Sequence, residues 1–178
     1  VIDDALLDPD ALVEYAAAHA GDFAESGHNA YPGPELRMPD AFSAQLDAFF
    51  TAHLRRAFDV RRTERMYSRV AITATPPEQL APIQSICHID RFAVEVRQRI
   101  VASVLYLFRD ERLGGTGFYG PKHPPETIMP MIADAGHIDA ETFRARYGID
   151  TGYMTGSNAW FQKIVSVPAR YNRIIFYE

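Results

Sequence analysis

From Met66 onward the chain breaks into short runs rich in β-branched and aromatic residues: MYSRVAITAT, IQSICHID, RIVASVLYLF, TGFYG, AWFQKIVSV and RYNRIIFYE. Gly, Pro and Asp punctuate them, so this part of the chain reads as strands joined by turns. Several short strands in succession imply an antiparallel sandwich or barrel. One helix interrupts them, where DAETFRARYG runs from a capping Asp139 to a terminating Gly148.

The first third reads differently. DPDALVEYAAAHAG has Asp8 as an N-cap, Pro9 at the first helical position and Gly21 past the end. In PDAFSAQLDAFFTAHLRRAF, the residues Phe42, Leu46, Phe49, Phe50, His53 and Leu54 recur at three- and four-residue spacings. That stripe predicts a second helix packed against a sheet. GHNAYPGPELRMPD between them is rich in Pro and Gly and reads as an ordered loop. The expected class is therefore mainly β with N-terminal helices.

With 178 residues, 47% hydrophobic and 23% charged, the chain fits one domain. Residues 1–60 are read as helical support and residues 66–178 as a β core. A net charge of -5 without a basic run gives no footprint for nucleic acid or an anionic membrane. RRAFDVRRTER, Arg55 to Arg65, is interrupted by acidic residues and reads as a solvated helix end. No apolar run approaches the roughly 20 residues of a membrane span. The first residues read as folded domain rather than signal peptide, so a cytoplasmic location is expected, and a single cysteine suits a reducing compartment. The chain opens on Val1, which suggests a trimmed N-terminus.

The chemistry centres on SICHIDRF, Ser85 to Phe92. On a strand, alternate side chains share a face, so His88 and Asp90 would point one way and Cys87 and Ile89 the other. An imidazole and a carboxylate so placed are two-thirds of the 2-His-1-carboxylate triad that holds non-haem Fe(II) with open positions. Cys87 reads as a small buried apolar residue. The spacing alone is weak, since a chance His-x-Asp is expected in roughly one such chain in three.

The order of features downstream of the pair strengthens the signal. After HID come a strand ending near a tyrosine (SVLYLF), a glycine-rich turn (LGGTGFY), an insertion, and RYNRIIFYE with Asn-Arg before apolar residues. In that order the chain resembles the Fe(II)/2-oxoglutarate-dependent oxygenases, most closely their prolyl-hydroxylase-like branch and a group of bacterial relatives. The resemblance covers roughly Met66 to Glu178. It implies a double-stranded β-helix (jelly-roll, cupin-like), with Fe(II) and 2-oxoglutarate as cofactors. His88 and Asp90 become iron ligands and Tyr106 a contact for a 2-oxoglutarate carboxylate. Gly114, Gly115 and Gly117 look like the family's tight turn, needed for backbone freedom, and Arg173 falls where a structural ion pair is expected.

The activity so implied is dioxygenation, by default hydroxylation of a small-molecule or protein side-chain substrate that no residue names, coupled to conversion of 2-oxoglutarate to succinate and carbon dioxide. Retention of Asp90 argues against the halogenating branch. The pattern's third ligand, a histidine, and a basic residue for 2-oxoglutarate are expected beyond Glu178. Within the chain, His123 and His137 are substitutes only by elimination. Two alternatives stand beside this reading: an inactive binding module on the same fold, and a metal-binding cupin-type protein that does not use 2-oxoglutarate.

Overall fold

The computed structural model describes residues 1–26, 29–89 and 98–178. Helix α1 spans Asp10–Ala18 and starts one residue later than expected, with Pro9 at the N-cap position, while the Asp8 carboxylate accepts the Ala11 N–H at 3.1 Å. It ends at His19 rather than at Gly21. The His19 backbone N–H donates to the Tyr15 carbonyl, and its ring stacks on Tyr15 with centroids 4.1 Å apart. Gly21 lies inside a 3-10 turn, Ala20–Asp22. Helix α2, Asp40–His53, carries the predicted apolar stripe. Its Phe49 and Phe50 lie 6.4 and 6.2 Å from the ring of Phe176, which is on a strand, so the helix does pack on a sheet.

Among the described residues the strands form three antiparallel ladders of two strands each. Strands β1 (Glu35–Arg37) and β2 (Arg69–Ala71) pair first, the former from within the loop GHNAYPGPELRMPD. The close approach of the two segments depends on Gly33, whose φ is +149° and where a Cβ would lie 2.0 Å from the Ile72 carbonyl oxygen. The other four strands pair in nested order. β3 (Ala102–Tyr106) joins β6 (Arg173–Tyr177), while β4 (Gly115–Pro121) joins β5 (Phe161–Pro168) with an irregularity at Phe118/Tyr119. The two ladders share one apolar cluster: Tyr106, Ala169 and Ile175 are buried, and Val104, Phe118 and Val167 pack around them.

The expectation of a mainly β double-stranded β-helix is not met. Among the described residues there are four helices and three two-stranded ladders, and no jelly-roll closes. Two physical reasons account for the difference. Strand-like composition overstated the strands: MYSRVAITAT yields three strand residues, and the start of IQSICHID is a proline-led 3-10 turn, Pro82–Gln84, that passes into irregular backbone. The segment between β4 and β5 also holds two helices, not one. Helix α4, Ala140–Tyr147, has the predicted ends, with the Asp139 carboxylate accepting the Thr142 N–H at 2.9 Å and Gly148 at φ +65°. Helix α3, Pro125–Ala135, was hidden by its prolines, although Pro125 sits in the first turn, where no N–H is needed. Its Ile128, Met131 and Ala135 join Phe143, Ile149, Phe161 and Ile86 in the largest buried cluster.

The N-terminal segment is strapped along β6. Ile2 and Ile174 exchange backbone hydrogen bonds of 2.9 Å. The Ala5 N–H donates to the Asn172 carbonyl, while the Asn172 side chain accepts from the Leu6 N–H at 2.9 Å and donates to its carbonyl at 2.8 Å. Asn172 sits at φ +62°, which its short polar side chain tolerates, at the turn from β5 into β6. Asp3 binds Arg173 and Arg170, and Asp10 binds Arg109 and the Tyr171 hydroxyl. Arg173 is thus held in an ion pair, as its place in the sequence suggested.

Two outcomes test this packing. At Gly115 a Cβ would lie 2.2 Å from the Val167 carbonyl oxygen, whereas Gly21 has open space. Denaturant unfolding should show Gly115→Ala losing about 1–3 kcal/mol or more, and Gly21→Ala within about 0.5 kcal/mol of the parent. The hydrogen bond from Arg173, with the charges of Arg173 and Arg170, holds the Asp3 carboxyl below its ordinary 3.8. That contribution is present above pH 3.8 and disappears as pH falls through the lower folded value. Asp3→Asn should therefore lower the melting temperature at neutral pH, and the difference should shrink as pH falls below 3.8 and vanish once the folded carboxyl is protonated. An equal loss at neutral and acidic pH would assign the effect to packing.

Candidate functional site

The described part of SICHIDRF departs from the alternation expected of a strand. Ile86 is buried at 5% exposure and Cys87 packs half-buried against the same cluster, while His88 is exposed and Ile89 is 78% exposed. Cys87 and Ile89 therefore do not share an environment. The chain turns out of the core between Cys87 and His88 instead of running along a sheet. Burial pushes the Cys87 thiol up to about 11. The raised thiol and its half-buried packing suit the reading of Cys87 as a packing residue. Asp90 lies outside the described residues, and so does the shared face proposed for it and His88.

Among the described residues, no three His, Cys, Asp or Glu side chains are grouped to hold a metal. The donor types at 88 and 90, imidazole and carboxylate, are those that Fe(II) accepts, and to that extent they fit the ion. The two substitute histidines have other surroundings. The His123 ring lies 5.0 Å from that of Trp160, with Nε2 3.2 Å from the Ala159 carbonyl oxygen, and His137 is exposed just past α3. Two clefts, of about 240 and 310 Å³, lie away from His88. One is lined by residues that include Asp47 and Arg65, the other by residues that include Phe23 and Ile72.

Tyr106 sits at the end of β3 with 5% of its surface exposed. Its hydroxyl shares a 2.6 Å hydrogen bond with the Thr116 hydroxyl on β4, joining the two ladders across their common cluster. His88 borders the other cluster, the one built by α3 and α4. The glycine turn is structural: Gly114 has φ +98°, and Gly115 has the backbone of residues 167–169 pressed against it.

Sequence reasoning missed the polar links that hold the His88 segment. Ser85, 2% exposed, donates to the Ala81 carbonyl at 3.3 Å and accepts the Gly152 N–H at 3.2 Å. Around that contact, the Tyr153 hydroxyl donates to the Thr75 carbonyl at 2.7 Å and the Tyr119 hydroxyl to the Met154 carbonyl at 2.9 Å. The Lys163 ammonium donates to the Thr155 carbonyl at 3.0 Å. TGYMTGSN has the composition of a loop, and nothing in it names those partners.

With this geometry the chain belongs to a family of unknown function, DUF6445, whose model matches residues 1–178. No curated protein and no solved structure matches it. Among the described residues no helix is long and apolar enough to cross a membrane.

The Tyr106–Thr116 link carries its own test. Tyr106→Phe and Thr116→Val should each cost about 0.5–1.5 kcal/mol in denaturant unfolding, and the double variant less than their sum. Strict additivity would mean that the two hydroxyls do not depend on each other.

Proposed function

We propose that this chain is an Fe(II)/2-oxoglutarate-dependent dioxygenase that hydroxylates a small-molecule or protein side-chain substrate, with His88 and Asp90 as metal ligands. The observation that carries the reading is the contrast along residues 86–88: Ile86 and Cys87 lie in the core and His88 faces outward, one residue from Asp90 in sequence. A histidine anchored by its apolar neighbours, with a carboxylate residue two positions on in sequence, is suited to hold a divalent ion. The bound ion and 2-oxoglutarate would supply the oxidising chemistry by activating dioxygen, the oxidant. The part of this chain is to bind and orient them.

Tyr106 is the proposed contact for a carboxylate of 2-oxoglutarate. A phenol has one donor and two acceptor positions, so a Tyr106 hydroxyl that accepts from Thr116 can still donate to an anion. Cys87 packs against the apolar cluster, which leaves imidazole and carboxylate as the proposed donors. One observation favours a second reading: the Tyr106 hydroxyl is already engaged, as in a purely structural tyrosine, which suits a domain that binds without catalysis.

Succinate production separates the two readings. The full-length protein supplied with Fe(II), 2-oxoglutarate and oxygen should form succinate slowly even without its substrate. His88→Ala and Asp90→Ala should each reduce that rate to background, because the remaining ligands would hold the ion poorly. Succinate formation unaffected by either change would remove both residues from the site, and none from the parent protein would favour the binding domain.

A further inference from the structure

Four consecutive residues of an irregular loop, Gly152 to Thr155, are each hydrogen-bonded outside the loop, three to distant segments at Ser85, Thr75 and Tyr119 and one to Lys163 on the strand that follows. A loop that served only to connect α4 to β5 would not need four separate anchors, since surface loops ordinarily satisfy their backbone with water. Two of the anchors bear on the approach to His88. The Gly152 N–H ends on Ser85, a buried hydroxyl three residues before the histidine, and Tyr153 ties down Thr75 upstream of the proline-led turns Pro77–Gln79 and Pro82–Gln84. Tyr119, which holds Met154, packs against the same cluster as Cys87, the residue before His88.

Resting on the reading of His88 as a metal ligand, we propose that residues 152–155 form a rigid strap that fixes the direction in which His88 is presented, with Ser85 as the positioning residue that connects strap to ligand. The backbone around Ser85 has few regular hydrogen bonds of its own, being a 3-10 turn that passes into irregular chain. Beside the burial of Ile86 and Cys87, its conformation therefore depends on the side-chain link. Removing the Ser85 hydroxyl takes the partner from the Gly152 N–H and frees both sides of the contact. The ligand is then held less well oriented, although none of its own atoms has changed.

The test is titration of the full-length protein with Co(II) alone, as a redox-stable probe, comparing the parent with Ser85→Ala, Tyr153→Phe and His88→Ala at a temperature where each shows one folded baseline. Ser85→Ala should bind Co(II) about 10- to 100-fold more weakly, as when a hydrogen-bond partner behind a metal ligand is lost. The visible absorption bands of the bound ion should also change shape, which a loss of stability alone would not cause. Tyr153→Phe, a milder change on a partly exposed side chain, should shift affinity in the same direction and keeps the proposal testable if Ser85→Ala does not fold. Loss of binding in His88→Ala with parent-like affinity and spectrum in the other variants would overturn the strap and leave the metal site standing. Parent-like binding by His88→Ala would overturn the metal site and the strap with it.

Discussion

A ladder of two strands is barely stable in water, because one face and both edges stay exposed. This fold depends on how two such ladders cover each other. β3–β6 and β4–β5 share the cluster of Tyr106, Ala169 and Ile175, and the hydroxyl pair Tyr106–Thr116 fixes their separation while giving each hydroxyl a partner. Edge-on ring contact of Phe118 with Tyr177, centroids 5.2 Å apart, adds a second tie between them. The N-terminal segment then pairs with β6 through Ile2, so that part of one edge has a partner. Helix α2 covers Phe176 on the same strand.

The second cluster has a different logic. Helices α3 and α4, inserted between two strands that pair with each other, bury Met131 and Phe143 completely or nearly so and draw in Ile86 and Cys87 from far upstream. That draw places His88. The chain is pulled inward at residues 86 and 87 by apolar burial and released to solvent at 88. The candidate ligand is therefore positioned by helical packing rather than by a sheet.

Those two clusters also explain which features could be read from residues alone. Capping is local: Asp139 and Gly148 mark α4 because a carboxylate accepts an orphan N–H and only a residue tolerant of positive φ ends the helix that way. The stripe on α2 was legible for the same reason, a repeat within one element. Five strands formed where β-branched runs lie, but pairing is non-local, and nothing in RIVASVLYLF says that its partner is RYNRIIFYE. Helix α3 was missed because Pro124, Pro125 and Pro130 look like breakers, while the spacing of Ile128, Met131 and Ala135 carried the better signal. At SICHID, apolar content suggested a strand, and tertiary burial by α3 imposed a different path. The main anchors of the 152–155 strap were illegible, since three of them join residues 35, 67 and 78 positions apart in sequence.

The central functional claim is that 2-oxoglutarate binds this protein through a metal held at His88 and Asp90. Calorimetric titration of 2-oxoglutarate into the full-length protein under anaerobic conditions, with and without Fe(II), tests it most directly. The predicted result is one saturable binding event that requires Fe(II) and is lost on chelation. Equal binding in the absence of metal, or no binding in its presence, would contradict it.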